Sequence, residues 1–174
     1  MHSRRIKNNW HIIKGQPLTE LDKKVLYYQN KGHLVPSRKL IKTAEQIEGI
    51  RRSSVVNTGV LDLVAREIKA GMSTAEIDKL VYDYTVSHGA IPAPLNYEGF
   101  PKSVCTSVNE VVCHGIPSEA VVLKSGDIVN VDVSTIYKGY YSDSSRMFRI
   151  GRVDEEKSRL VRVAKECMEK GIAA

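Results

Sequence analysis

The segment from Val129 to Phe148 constrains this chain more than any other. Val129-Asn130-Val131-Asp132-Val133-Ser134 and Tyr141-Ser142-Asp143-Ser144-Ser145-Arg146-Met147-Phe148 alternate apolar and polar side chains, with Tyr137-Lys138-Gly139-Tyr140 between them. An alternation of period two, broken by a residue pair suited to a tight turn, reads as a β-hairpin. If Lys138-Gly139 is a two-residue loop, Asp143 faces Ser134, and Asp132 is its diagonal neighbour on the same face. Their Cβ atoms are then about 5–8 Å apart. Two carboxylates so placed can share a metal ion or a metal pair. An odd-length loop without a bulge would put them on opposite faces. The alternative reading makes both aspartates ordinary polar residues on the wet face of an antiparallel pair.

The rest of the composition narrows the class. At 174 residues the chain holds one ordinary domain with its own core. No apolar run approaches the ~18 residues of a membrane span, and the Met1–Lys7 start lacks the apolar stretch of a secretory signal. Cys105, Cys113 and Cys167 are odd in number and have no CxxC spacing, so neither a disulfide framework nor a zinc knuckle is indicated. The expected compartment is the reducing cytosol. The net charge of +6 is unevenly spread: residues 1–42 hold ten Lys or Arg against Glu20 and Asp22, while residues 43–174 are slightly acidic. This basic extension is either an arm that touches something polyanionic, such as RNA or a ribosome surface, or a solvated leader. Trp10, Ile12, Ile13, Leu18, Leu21, Val25, Leu26, Tyr27 and Tyr28 are too many apolar residues for pure disorder, so part of it is expected to pack on the domain.

Two amphipathic helices come next. Thr43-Ala44-Glu45-Gln46 fits a capping box, followed by a stripe of Ile47, Ile50, Leu61, Val64 and Ile68 and a stop at Gly71. Ser73-Thr74-Ala75-Glu76 is a second capping box, followed by Ile77, Leu80, Val81 and Tyr84 and ended near Gly89. Each stripe needs an apolar partner, which the sheet can provide. Pro92, Pro94 and Pro101 make the next stretch irregular. Residues 103–108 and 111–113 read as short strands around a turn at Asn109-Glu110, His114-Gly115-Ile116-Pro117 as a loop, and Asp154 as the N-cap of a last helix carrying Leu160, Val161, Ala164, Cys167 and Met168.

Three stretches, Tyr97-Glu98-Gly99-Phe100-Pro101-Lys102-Ser103-Val104-Cys105-Thr106-Ser107-Val108-Asn109-Glu110-Val111-Val112-Cys113-His114-Gly115-Ile116-Pro117, then Gly126 to Asp132, then Asp143 to Phe148, carry a resemblance. In their order and spacing the chain resembles the N-terminal half of type I methionine aminopeptidases, over roughly residues 40–170. The resemblance implies an α+β pita-bread (creatinase/aminopeptidase) fold. Its first half consists of two amphipathic helices on an antiparallel sheet, with the first helix of the second half after it. Residues 43–174 would be the N-terminal part of the catalytic domain. The implied activity is removal of the N-terminal methionine from nascent proteins, where a small residue follows, by a hydroxide activated by two divalent metal ions (Co, Mn, Fe or Zn). Asp132 matches the aspartate that bridges both metals, Asp143 the one that chelates one metal, and His114 the histidine that contacts substrate and stabilises developing charge. The methionine pocket would draw on Tyr97, Phe100 and Cys105. Pro94 stands where many members carry Cys, and Glu98 where some have His.

The implied chemistry suits these residue types. Hard carboxylate oxygens bridge divalent ions, a neutral imidazole can donate to a tetrahedral oxygen, and a shallow apolar pocket selects an unbranched thioether. The family completes its site with one histidine and two glutamates from the second half. Nothing in the 174 residues has their surroundings, so the chain is expected to need residues from elsewhere for turnover. Two rivals stand beside this reading: a non-catalytic relative binding ribosomes, RNA or nascent chains through the basic arm, and a proline-directed peptidase of the same superfamily.

Overall fold

The computed structural model describes Trp10 and residues 12–174. They divide into two compact units, one of Trp10 and residues 12–47 and one of residues 48–174. The first contains a helix that the sequence pattern did not single out, α1 (Glu20–Asn30), whose N-terminus is closed by a capping box between Thr19 and Asp22. Asp22 is buried and accepts a hydrogen bond from the Trp10 indole at 2.9 Å and an ion-paired contact from Arg38, whose guanidinium also lies over the Trp10 ring. The basic segment thus has local structure of its own, while Lys14, Lys23, Lys24, Lys31, Lys39 and Lys42 all face solvent. Met1 to Asn9 and His11 lie outside the described residues.

In the second unit two helices, the first of which begins just before residue 48, cover one face of a sheet. α2 (Ala44–Glu67) opens on the expected box, with the Thr43 amide donating to Gln46 at 2.9 Å and the Gln46 amide to the Thr43 hydroxyl at 3.2 Å. α3 (Thr74–Ser87) opens on the second box, from Ser73 and Glu76. Four strands follow: β1 (Ile91–Pro92), β2 (Cys105–Val108), β3 (Ile128–Tyr137) and β4 (Tyr140–Arg149). β3 is the axis of the sheet. β4 runs antiparallel along one edge for its whole length, while β1 and β2 lie end to end along the other, both antiparallel to it.

The core is the apolar face of this arrangement. Val60, Leu61 and Val64 of α2 and Ile77 and Val81 of α3 pack with Val129, Val131 and Val133 of β3, Phe148 of β4, and Val104, Leu123 and Ile150. Each such side chain contributes about 1.5–3 kcal/mol by leaving water. The expected α2 stripe holds only in its C-terminal half. Ile47 is 41% exposed, and the buried N-terminal positions are Gly49, Ser53, Val56, Asn57 and Val60. Polar residues serve there because they bond the hairpin. The Ser53 hydroxyl donates to the Thr135 carbonyl at 3.2 Å and meets the Ser142 hydroxyl at 2.8 Å. The Asn57 amide donates to the Val133 carbonyl at 2.7 Å and to the Thr135 hydroxyl at 3.2 Å, and its own carbonyl accepts from Ser144.

Two further expectations need correction. Residues 111–113 form no strand, and β2 begins at Cys105 rather than at 103. After the turn at Asn109, held at φ 50°, the chain doubles back against β2 as a loop, its Gly115 carbonyl accepting from the Thr106 amide at 2.8 Å. Val112 is left 93% exposed, which a paired half-buried strand would not permit. The last helix, α4 (Glu155–Ala173), starts at the Asp154 cap, as expected, and buries no residue. Its first turn is tied to the sheet by Lys157, which donates to Asn109 Oδ1 at 3.2 Å and to the Gly126 carbonyl at 2.9 Å.

Candidate active site

The hairpin sets the site. Lys138 and Gly139, at φ 49° and 82°, form the two-residue turn, and the register pairs Ser134 with Asp143 and Asp132 with Ser145. Positive φ at both turn residues gives the twist that matches the flanking strands. Along β3, Val129, Val131, Val133 and Thr135 are buried against the helices, so Asn130, Asp132 and Ser134 belong to the opposite face. Asp143 shares that face on β4. The two carboxylates are therefore diagonal neighbours, as the spacing predicts, and the opposite-face alternative is removed. Cys105 of β2 lies opposite Asp132 on its other side. Ser134 fixes the geometry further, its hydroxyl donating to Asp143 Oδ1 at 2.8 Å.

These residues line an open cavity of about 860 Å³ over the sheet. Its polar members include Asp132, Asp143, Ser134, Glu98 and His114, and its apolar ones include Ala93, Pro94, Phe100, Cys105 and Ile116, with Tyr97 and Tyr141 at the edges. All of the site residues expected from sequence, Tyr97, Phe100, Cys105, His114, Asp132 and Asp143, are thus brought together. The depths differ. Cys105 is 9% exposed, whereas Tyr97 is 66% exposed and His114 lies open to solvent.

The His114 loop is seated by backbone. His114 itself is held at φ 55°, and Gly115 next to it is clamped on β2: its carbonyl accepts from Thr106, and its amide donates to the Ser107 hydroxyl at 3.2 Å. A Cβ at position 115 would overlap the Thr106 carbonyl oxygen, so glycine is the residue that lets this loop lie so close. The sequence reading named His114 but neither the Gly115 clamp nor Ser107. A glycine after a chemistry-bearing residue was the available signal.

Electrostatics separates the groups. Burial raises the Asp132 carboxyl above its ordinary value, and the charge of Asp143 raises it further, with His114 opposing. Burial and the charge of Asp132 likewise push the Cys105 thiol up, which makes it a poor nucleophile and leaves it a packing residue of the cavity wall. Two carboxylates that repel one another in a half-buried site fit a divalent cation, which removes the repulsion and accepts hard oxygen donors. Among the described residues no group of three or more His, Cys, Asp or Glu side chains is arranged to hold a metal, so the fit is that of two ligands.

Comparison with known proteins is consistent with this geometry. Residues 48–174 match a family model described as metallopeptidase family M24. The chain is 51% identical over 133 residues to methionine aminopeptidase 1A of Arabidopsis thaliana, covering 76% of this chain and 33% of that protein. It is 48% identical over 134 residues to methionine aminopeptidase 1D, mitochondrial, of Homo sapiens, covering 77% and 40%. The crystal structure of a methionine aminopeptidase from Rickettsia prowazekii superposes with a TM-score of 0.74 at 45% identity, over 76% of this chain and 53% of that one. The chain spans about a third to a half of the length of the relatives it matches.

Proposed function

This chain belongs to metallopeptidase family M24, and on that footing we propose that it carries the two-aspartate part of a methionine aminopeptidase site, acting on peptides or nascent chains that begin with Met before a small residue. The observation that carries this reading is the register of the β3–β4 hairpin, which puts Asp132 and Asp143 side by side on the floor of a cavity with an apolar wall.

In this reading residues 43–174 are the N-terminal part of the catalytic domain, and Asp132 and Asp143 hold two divalent ions of the Co, Mn, Fe or Zn class. When bound, those ions supply Lewis-acid activation of water and of the scissile carbonyl. The remaining work falls to the chain's own side chains. Ser134 orients Asp143 by its hydrogen bond. Phe100, Cys105 and Tyr97 take up the methionine side chain, whose flexible thioether fits an irregular apolar wall. His114, exposed over the cavity, donates to the oxygen on which charge develops.

Residues 1–42 form the basic extension, and we assign it contact with the ribosome or its RNA. The support is its excess of eight positive charges, with the described lysines turned outward. Salt-sensitive co-sedimentation with ribosomes, lost on deleting that segment, is the expected result. We place the protein in the cytoplasm: all three cysteines are free, as a reducing compartment keeps them. No described helix is long and apolar enough to cross a membrane.

The experiment is divalent-ion binding and ion-dependent release of methionine from a Met-Ala peptide by the 174-residue chain, with Asp132→Asn beside it. Ion binding weakened at least about tenfold by the substitution is the expected outcome. Turnover that the substitution abolishes would assign the whole reaction to this chain, and binding without turnover would assign it part of the site. Ion binding indifferent to Asp132→Asn would overturn the assignment.

A further inference from the structure

We propose that Glu98 makes this cavity select peptides with basic side chains among the residues that follow the scissile bond. The inference rests on the reading of the cavity as a methionine-peptide site. It starts from depth: Asp132 and the 9%-exposed Cys105 lie at the sheet, whereas the 66%-exposed Tyr97, Glu98 and Gly99 stand at the rim. A peptide that enters N-terminus first and places its first side chain against the sheet leaves its following residues passing this rim.

Glu98 is placed there by a tightly closed loop. The Asn96 amide donates to the Phe100 carbonyl at 2.8 Å, Tyr97 to Pro94 at 3.0 Å, and Phe100 to Tyr97 at 2.9 Å. Within it Asn96, Glu98 and Gly99 all have positive φ, of 66°, 48° and 84°, a region that a residue such as glutamate rarely adopts. The Glu98 carboxylate has no hydrogen bond or ion pair among the described residues. The nearby Lys102 is engaged with Asp78 at 3.5 Å and does not line the cavity.

Charge decides what such a carboxylate meets. The lining carries Glu98, Asp132 and Asp143, the imidazole of His114, and no lysine or arginine. Once Asp132 and Asp143 are engaged by cations, Glu98 is the acidic side chain of the lining still free to meet the peptide. A lysine or arginine downstream of the methionine pairs with it, whereas a glutamate there is repelled. A partly solvated pair of this kind is worth about two- to fivefold in affinity and weakens as salt rises.

The test compares C-terminally labelled Met-Ala-Lys-Lys and Met-Ala-Glu-Glu peptides, each with a free or an acetylated N-terminus. Binding to the full chain is read by fluorescence anisotropy with divalent ions present. The lysine peptide is expected to bind about two- to fivefold tighter at low ionic strength, with the difference erased in Glu98→Gln and compressed by salt. Because the Glu98 carboxylate makes no bond among the described residues, Glu98→Gln is expected to melt at the same temperature, so a lost preference is not lost folding. Equal binding of the two peptides, or a preference that persists in Glu98→Gln, overturns the proposal while leaving the methionine-site reading standing. Acetylated peptides that bind as well as free ones overturn that parent reading instead, and absence of any peptide binding overturns both.

Discussion

Truncating Asn57 to alanine should weaken this fold more than its single amide suggests, because Asn57 joins α2 to both strands that carry the site carboxylates. The side chain is 1% exposed. Its amide nitrogen donates to the Val133 carbonyl at 2.7 Å and to the Thr135 hydroxyl at 3.2 Å, and its oxygen accepts from the Ser144 hydroxyl. Each bond is worth about 1 kcal/mol net, so Asn57→Ala should cost about 3 kcal/mol. Against a total stability of about 5–15 kcal/mol, that is a large fraction. In urea unfolding the midpoint should fall by about 1–3 M with the slope unchanged, which marks lost stability rather than an altered denatured state. Asn57→Leu separates polarity from volume. It refills the space but sets methyl groups against the fully buried Thr135 hydroxyl, so it should cost about as much as alanine. A loss below about 1 kcal/mol for Asn57→Ala would refute the reasoning, since the strand groups would then have adequate partners without the helix.

Two other perturbations probe the His114 loop and the first unit. Gly115→Ala drives a Cβ into the Thr106 carbonyl, so the loop must lift from β2. A stability loss of about 1–3 kcal/mol, together with weaker binding of Met-Ala peptides, is expected, and unchanged peptide affinity would mean that His114 does not need this seat. The Thr19 hydroxyl, then the Thr19 amide, Trp10 and Arg38, hold the Asp22 carboxyl far below its ordinary value against the opposing effect of burial. A depressed carboxylate stabilises the folded state above its unfolded pKa of about 3.9 and loses that contribution as pH falls through the folded value. Fluorescence of Trp10, the one tryptophan, should therefore stay constant from neutral pH to about pH 4 and change only below it. Asp22→Asn should shift the emission already at neutral pH, and an unshifted spectrum would show that the Asp22 contact does not hold the indole.

What was legible in the sequence depended on whether a feature repeats with a period or closes locally. The hairpin register followed from alternation plus Lys138-Gly139, because a two-residue turn leaves one pairing and a slip of one residue would bury Asp132 with the valines. The capping boxes of α2 and α3 were legible because each is closed within four residues by Thr or Ser and Gln or Glu and is followed by an apolar stripe; the Thr19–Asp22 box of α1 is as local but has an aspartate at its third helical position and no such stripe. The N-terminal half of α2 was not legible, since its buried face is Gly49, Ser53 and Asn57, and polar residues at helical spacing look like a wet face until their partners about 80 positions away are known. For the same reason α1 was missed: its buried members are Asp22 and Val25, and the carboxylate is buried only because Trp10 and Arg38 meet it. The supposed strand at 111–113 failed in the opposite sense. Val111 and Val112 have the right propensity, but the outer edge of β2 that they would pair with is met by Gly115 instead, whose carbonyl accepts from the Thr106 amide, so residues 111–113 arch away from it. Which residue closes on that edge is set by the glycine that can approach the Thr106 carbonyl, so the loop that carries His114 follows from Gly115 rather than from the strand propensity of the valines before it.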